Sequence, residues 1–592
     1  MDMMTQFRFG TLIELFNKSL AAPEPASGGE KVYLEIVRAE RCEQLTFGRL
    51  RARARGFAVW LVQNAGLSVG GKVAILGKNR ADWDIAFWGA ILAGAIPVLI
   101  DPERGVEGVI EHLVQTDTDL LVMADDYLDE ESRRTLRDFA ANAGLGLVEM
   151  ADEPLCESLG DLKGRGGEEI SLDAAQTDEL LQAVAEKVKA EAAAVILCTS
   201  GTTGDPREVE LTHTNLIANI EGAVEKIQIT SSDVLGHILP PHHSFGLTVG
   251  KLLVLSVGAT NIYTNKYRQI PQLIRDRGIT ILAATPALYT VLAKKIEDGL
   301  AEQKKSKPIV RLLDRWLPKL IGKSIIRKQG WRTIRFFLSG AAPVPKWVLN
   351  VFWRRGLLLY EGYGTTENSP VYGFNDEFSG LGSVGRPIPT LDVKIVNEQS
   401  DTLPPGQKGE IMLGGPCIMK GYYKNPKATA ATVETDSEGV RWLHTGDLGC
   451  LDADGNLFIT GRKKFLVVLP GGKNVNPELV ESALCEANFV HEILIVPRMK
   501  KDSAGVETEA VHAIVRPDLE AIKSRTNHSE ADLIGKPDLL KSLVWQSISQ
   551  CQQRSRHLSS YEKITPAGLE IRIEEFQKTS TGKIKRQAYI SS

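Results

Sequence analysis

Apolar residues follow two different periods along this chain. Within 47–65, Leu50, Phe57, Trp60 and Leu61 keep helical spacing, whereas 72–76 and 96–100 are short continuous apolar runs of strand length. A further helix is predicted over 83–92, so the order reads helix, strand, helix, strand: an α/β domain with a mostly parallel sheet. The pattern resumes with strands predicted at 192–198, 234–239, 280–283, 334–338 and 356–359, several running straight into loops of small or polar residues. In open α/β sheets ligands sit beyond the carboxyl ends of the strands, so these loops are where chemistry is expected. The longest apolar run, 85–100, is broken by Gly89, Gly94 and Pro97. It falls short of the roughly 20 residues a membrane span needs and reads as a buried helix leading into a strand. After about 380 the texture becomes β-rich, with turns such as Pro404-Pro405-Gly406. Asp454-Gly455 between 449–451 and 457–460 predicts a hairpin, and a last domain begins near 464.

Composition narrows the class. Of 592 residues 43% are hydrophobic, and 70 basic against 74 acidic residues leave a net charge of −4. That balance argues against a nucleic-acid coat and against disorder. Asp2, Arg8 and Glu14 interrupt the opening residues, unlike a secretory signal. Seven scattered cysteines without a CxxC suit a reducing compartment rather than a disulfide framework or zinc site, so a soluble cytoplasmic enzyme is expected. Segment 304–335 departs from the average, with eleven Lys/Arg against one acid, Asp314. Arg311, Arg315, Lys319, Lys323 and Arg327 recur every four residues; Leu312, Leu313, Trp316, Leu317, Leu320, Ile321 and Ile325 supply the apolar side. Two readings stand: an interfacial helix at the inner membrane surface, or an insert packed on the domain with a solvated basic face. Pro318 predicts two short helices rather than one.

Thr199-Ser200-Gly201-Thr202-Thr203-Gly204 follows a predicted strand. Its glycines permit a tight turn whose N–H groups and hydroxyls form an anion-binding concavity, although it lacks the Walker pattern; a simple capped turn is the alternative. Tyr360 to Glu367, written YEGYGTTE, offers aromatic rings and a carboxylate able to hold a hard cation. His444-Thr445-Gly446-Asp447 places a carboxylate after a turn, Gly461-Arg462-Lys463-Lys464 follows the hairpin, and Lys578-Thr579-Ser580-Thr581-Gly582-Lys583 lies near the end.

Taken in order, TSGTTG(D)P…LTH, SGAAP, YGTTE, TGD, GRxK and TGKxxR closely resemble the adenylate-forming acyl-activating superfamily, over nearly the whole chain. Leu239-Pro240-Pro241-His242-His243-Ser244-Phe245-Gly246 and the basic insert resemble its bacterial long-chain fatty acyl-CoA synthetases and acyl-acyl-carrier-protein synthetases. The resemblance implies a large N-terminal domain (1–463) of doubly wound sheets with a β-rich subdomain, and a small mobile α+β domain (464–592). It implies that Thr199, Ser200, Gly201, Thr202, Thr203 and Gly204 wrap the ATP phosphates, and that Gly340, Ala341 and Ala342 line the adenine and carboxylate pocket. Tyr363 would stack on adenine, Thr366 touch the α-phosphate, Glu367 ligate Mg²⁺, and Asp447 and Arg462 hold the ribose. Lys464 would be the hinge, Gly472 would line the coenzyme A pantetheine path, and Lys583 would reach the carboxylate and α-phosphate. His243 would wall the acyl pocket. Adjacent His242 and His243 on an extended segment would point apart, a poor metal pair, and no HExxH exists.

The expected reaction is ATP-dependent activation of a medium- to long-chain fatty acid to acyl-AMP, followed by thioester formation with coenzyme A. Transfer to acyl carrier protein and a non-catalytic acyl- or nucleotide-binding protein are the alternatives; no nucleic-acid partner is expected. Three residues depart from the family pattern. Arg207-Glu208 replaces Lys-Gly after Pro206, and Gln577 stands where a proline is common.

Overall fold

The computed structural model describes residues 7–20, 30–38, 42–124, 128–150, 173–199, 207–469, 473–501, 507–526, 528–555, 558–578 and 584–590. Strand Lys72–Leu76 sits between Ile96–Ile100 and Leu120–Ala124, all parallel. Gly146–Met150 extends one side in parallel, and Ala193–Cys198 the other. The hairpin Ala193–Cys198/Glu208–Thr212 then turns the sheet antiparallel, and Gly421–Tyr422 closes that edge of seven strands.

A second, nine-stranded sheet is wound about Val234–His237. Thr260–Thr264 lies on one side of it and Ile281–Ala284 on the other, all parallel, so the chain reverses its direction of travel across the sheet there. Phe336–Ser339 and Leu359–Tyr363 continue beyond Ile281–Ala284, while Val32–Val37 and Cys42–Thr46 continue beyond Thr260–Thr264. The sequence pattern predicts an α/β domain with a mostly parallel sheet, and the family resemblance implies the doubly wound sheets found here.

One strand is displaced from its predicted place. The run 356–359 was expected to be the strand; the observed strand is Leu359–Tyr363, which moves Tyr360 and Glu361 from the loop into the sheet. The reason is local. Helix Lys346–Arg354 ends in a turn where Gly356 takes φ +69°, and Leu357 N–H still bonds back to Phe352 O, so extension starts only afterwards. The predicted strand 234–239 likewise stops at His237.

The chain divides into two compact units. One comprises Met1–Thr199, Pro206–Val393 and Met412–His444; the other comprises Ser200–Asp205, Lys394–Ile411 and Thr445–Ser592. In the second, residues 447–451 pair with 457–462 in the predicted hairpin, whose turn is closed by Asp452 accepting the N–H groups of Asp454 and Asn456. Val490–Lys501, Glu507–Pro517 and Leu569–Ile571 make a three-stranded sheet, with helices Pro477–Leu484 and Pro537–Arg554 closing its core.

Helix Ala81–Leu92 is wholly interior to the first unit, with all twelve residues buried. It packs on Lys72–Leu76 and Ile96–Ile100 of one sheet and on Cys42–Thr46 of the other. Its apolar faces fulfil the expectation of a buried helix, and among the described residues no helix is long and apolar enough to cross a membrane. Burial of a charge in such a place demands a partner. Asp84 has two: Lys251 Nζ at 2.7 Å, itself wholly buried, and the Tyr33 hydroxyl, which donates at 2.9 Å.

This pair generates a stability prediction. Lys251→Met strands the Asp84 carboxylate and is expected to cost about 3–5 kcal/mol in urea unfolding. Lys251→Met with Asp84→Leu removes both charges and should cost less than the single change. Equal losses for the two variants would mean that the charge pairing is not what holds this region.

Candidate active site

Thr199 ends strand Ala193–Cys198 and pins the neck of the loop that follows. Its N–H donates to Arg207 O (2.9 Å), and Arg207 N–H donates back to Thr199 Oγ1 (3.2 Å). Ser200, Gly201, Thr202, Thr203 and Gly204 lie outside the described residues, as do Gly472 and Lys583. Arg207 then places its guanidinium 5.0 Å from the Tyr422 ring centroid, an attraction that lysine's compact ammonium would make differently. Tyr422 O–H donates to Glu367 Oε1 at 3.0 Å. Burial, then the neighbouring Glu367 charge, push this hydroxyl up to about 12, so it remains a donor at neutral pH. Loop neck and proposed metal carboxylate are therefore two contacts apart.

The turn carrying Glu367 is rigidly held. Thr366–Asn368 is a single 3₁₀ turn, capped by Thr365 N–H donating to Asn368 Oδ1 at 2.6 Å. Asn219, buried in helix His213–Ile227, donates to Asn368 O and Val371 O and accepts from Val371 N–H. Ser244 Oγ lies 3.2 Å from Thr366 Oγ1, which joins the His242–Gly246 stretch to the TTE turn.

Residues Gly340 to Ala342 leave the end of strand Phe336–Ser339. A Cβ on Gly340 would come within 2.8 Å of the Phe245 ring, so glycine is what admits Phe245 against this backbone. Ala341 takes φ +70°, a left-handed conformation that a non-glycine residue adopts at a cost of roughly 1–2 kcal/mol. Glu361, brought into the strand, is buried and accepts Val344 N–H at 2.8 Å, thereby holding the far end of the same loop. Burial pushes its carboxyl up to about 7. Tyr363 meets Tyr372 edge to face at 5.6 Å.

At the carboxyl end of Val234–His237, where the sheet reverses direction, a small apolar void with room for about one water molecule is lined by Gly236, His237, Ile262, Ile270, Leu273 and Leu282, among others. Burial holds His237 down to about 3, so it faces this space as a neutral ring.

His242 and His243 do not point apart. The segment is a turn leading into helix Ser244–Leu247 rather than an extended strand, and the two ring centroids are 4.6 Å apart. Asp101, His242 and His243 bring donor atoms within 4.8 Å of one another, which corrects the directional argument against a pair. Burial is the main force holding His242 down to about 3. A second group, His112, Cys198 and Glu208, already holds a cation: Arg104 Nη1 donates to Cys198 Sγ at 3.2 Å and lies 3.0 Å from His112 Nδ1.

In the second unit, Asp447 and Arg462 face each other across the hairpin, with Arg462 Nε 2.6 Å from Asp447 Oδ1. Asp447 is buried, and its N–H donates to Thr445 Oγ1. Lys464 is exposed in the 3₁₀ turn Lys463–Phe465. Lys578 and Ile584 form a bridge, and Lys578 Nζ pairs with Glu492 at 2.6 Å. Arg586, the last residue of TGKxxR, is buried and pairs with Glu481 at 2.8 Å, so its place is structural.

The sequence reading missed Tyr422 and Asn219. Asn219 sits mid-helix without a local motif, and Tyr422 follows its partner by 55 positions. The signal that was available is the TTE motif itself, whose carboxylate and turn carbonyls needed donors.

The profile of the AMP-binding enzyme family matches residues 26–423. A long-chain-fatty-acid–CoA ligase of Salmonella typhimurium is 27% identical, covering 98% of this chain and 94% of that protein. A chloroplastic long-chain-fatty-acid–[acyl-carrier-protein] ligase of Arabidopsis thaliana is 25% identical over 85% of this chain and 76% of that one. The structure of o-succinylbenzoate coenzyme A synthetase from Bacillus subtilis with ATP and magnesium superposes with a TM-score of 0.71 at 21% identity, covering 98% of this chain and 99% of that one. The fold and these matches define an adenylate-forming ligase architecture. The chain belongs to the AMP-binding enzyme family.

Glu361 supplies a pH test. Its native pKa, raised by burial to about 7, exceeds the unfolded 4.5, so its contribution is present below 4.5 and is lost as pH rises through 7. Glu361→Gln keeps an acceptor for Val344 N–H without the charge. It should match the wild type near pH 4.5 and exceed it above pH 7 by up to about 3 kcal/mol in urea unfolding. Parallel stability curves would exclude the buried acid as the cause.

Proposed function

We propose that the protein activates a medium- to long-chain fatty acid with ATP to an acyl adenylate and transfers the acyl group to coenzyme A, releasing pyrophosphate and AMP. The observation that carries this reading is the chain of contacts from Thr199 and Arg207 through Tyr422 to Glu367, continued by Thr366 to Ser244. It links the neck of the proposed anion loop to the Glu367 carboxylate, and that carboxylate's turn to the segment 242–246. Seven scattered cysteines, the described ones all free, suit action in the reducing cytoplasm.

The chemistry explains why such groups are needed. A carboxylate is anionic and lacks a leaving group. Attack of its oxygen on the α-phosphorus of ATP expels pyrophosphate and leaves a mixed anhydride; the thiol then attacks the acyl carbon and AMP departs. Two anions must first approach, and that barrier is electrostatic. The Glu367 carboxylate, held by the Tyr422 hydroxyl, is a hard oxygen donor of the kind Mg²⁺ takes, and the metal would supply charge neutralisation at the phosphates. Ser200, Gly201, Thr202, Thr203 and Gly204 would hold the β- and γ-phosphates, with Tyr363 and Gly340 to Ala342 at the adenine. Asp447, held by Arg462, would accept the ribose hydroxyls. His243 would wall the carboxylate end of the acyl site, and Lys583 would meet the carboxylate and α-phosphate.

Lys583 and the pantetheine path at Gly472 serve different steps. A pivot at Lys464, dividing 1–463 from 464–592, would present them in turn. The exposed turn around Lys464, between strands Leu457–Arg462 and Val467–Leu469, supports that assignment.

The Arabidopsis relative keeps acyl carrier protein open as the acceptor. Purified protein with ATP, Mg²⁺ and acids of increasing chain length, offered coenzyme A or carrier protein, separates the readings. Pyrophosphate release with long acids and a thioester on coenzyme A is the expected result. A thioester on carrier protein alone would move the acceptor; no pyrophosphate with any acid would leave only a binding protein.

Two variants test the roles. Lys583→Ala should slow adenylation by about 3–4 kcal/mol of barrier, the scale of one lost oxyanion donor, while supplied acyl-AMP still yields thioester. Lys464→Pro fixes φ at the pivot, so acyl-AMP should form and thioester formation collapse. Equal damage to both half-reactions in either variant would remove the assigned role.

A further inference from the structure

The basic segment folds as Pro308–Trp316 and Pro318–Gln329, two helices that each open on proline, as Pro318 predicted. The basic stripe therefore does not run along one continuous helix. More consequential is which side faces inward. Val310 and Ile321 pack with Leu300 in a small core, but most of the expected apolar side does not join them. Ile309, Leu312 and Trp316, spaced i, i+3, i+7 on one face, are exposed, and Leu317 and Leu320 continue that surface. Exposure of these five runs from 47 to 68%. They are five of the sixteen large apolar side chains exposed among the described residues, gathered within twelve positions.

The single acid is turned the other way. Asp314 is buried, 2.6 Å from Lys304 Nζ and 3.3 Å from Arg355 Nη2. What faces water is thus apolar and cationic, and the Arg315 guanidinium lies 5.5 Å from the Trp316 ring centroid. Lys319 pairs with Glu377 at 3.5 Å, which brings a neighbouring turn alongside; there Phe378 is 87% exposed, its N–H held by Asp376. An exposed cluster of this size on a folded surface marks a place of contact.

We propose that this face docks the protein peripherally on an anionic lipid surface, with Leu312, Trp316, Leu317 and Leu320 entering the interfacial layer and the surrounding cations meeting lipid phosphates. The helices lie on the membrane rather than cross it: nine and twelve residues span about 14 and 18 Å, against a hydrocarbon core of about 30 Å. Tryptophan and stemmed cations suit the boundary because each has an apolar body and a polar end. An acidic protein would satisfy the charge but leave these large apolar groups to be matched one by one; a lipid surface matches any arrangement of them.

Sedimentation of the full chain with vesicles tests this. At low ionic strength the wild type should pellet with equimolar phosphatidylcholine and phosphatidylglycerol and remain in solution with phosphatidylcholine alone. Arg311→Gln, Arg315→Gln, Lys319→Gln and Lys323→Gln together should reduce partitioning by about a thousandfold. Trp316→Glu should reduce it by at least about tenfold with all cations retained. Trp316→Gln, a milder change at an exposed site, repeats the test should the acid disturb folding. Urea midpoints and adenylation of a short soluble acid should stay at wild-type values in every variant. A wild type that ignores anionic vesicles, or a Trp316 variant that binds them fully, overturns the proposal. Loss of binding to purified acyl carrier protein in the quadruple variant, with vesicle binding intact, would assign the surface to an acidic protein instead.

Discussion

The ion pair between Asp84 and Lys251 fixes the interior on which the site stands. Two charges with essentially no access to water are tolerable only if each is held by the other and by hydrogen bonds, and Tyr33 supplies the additional donor. The three residues belong to three elements: strand Val32–Val37, helix Ala81–Leu92 and the π-helical segment Thr248–Leu253. That π segment continues the helix that opens at Ser244. Holding Lys251 in the interior therefore restrains the segment that carries His243, Ser244 and Phe245. Thr248 adds a bond to Ser369 O, two residues beyond Glu367. Apolar packing alone would leave this helix free to rotate or slide; the ion pair allows one register.

The parts legible in the sequence were those decided by period and punctuation. Strands such as 72–76 and 96–100 are apolar on both faces because both are covered, and proline at 318 marks a helix break wherever the chain goes next. What could not be read depended on distant partners or on local direction. Glu361 looked like a loop acid because the left-handed turn at Gly356, which delays the strand, leaves no periodic trace. The His242 and His243 rings converge because the segment turns there, with His243 N–H donating to Pro240 O at 3.4 Å. Charge spacing on 311–327 was visible; that the leucines would face outward was not, since helical period fixes which residues share a face but not which face is covered.

The three departures from the family pattern have local physical accounts. Arg207 is engaged by the face of Tyr422, a contact for which a planar guanidinium is better suited than an ammonium. Glu208 replaces a permissive glycine because it begins a regular strand, and its carboxylate lies 3.3 Å from His112 Nδ1 in the group bridged by Arg104. Gln577 uses the N–H that proline lacks: it donates to the Tyr589 hydroxyl at 2.8 Å, while its carbonyl accepts Lys585 N–H. Together with the Lys578–Ile584 bridge, these bonds set the stems on either side of Lys583. Each substitution thus exchanges backbone freedom or rigidity for a specific contact.

The treatment of Asp314 bears on what the outward face is for. A lone acid among eleven cations would be satisfied by any of them at the surface, at little cost. Here it is instead buried and matched by the partly exposed Lys304 and the buried Arg355, which also pairs with Glu297 at 2.7 Å. The consequence is that the segment's own exterior charges are all cationic beside exposed Leu312, Trp316 and Leu320, while Glu377 of the neighbouring turn pairs with Lys319 at 3.5 Å. Solubility would favour the opposite arrangement, with the leucines inward and the acid exposed. A long-chain acid partitions into membranes through its tail, whereas ATP and coenzyme A remain in water. The activity proposed above would join such substrates at a boundary between two phases, and a surface both apolar and cationic suits that boundary.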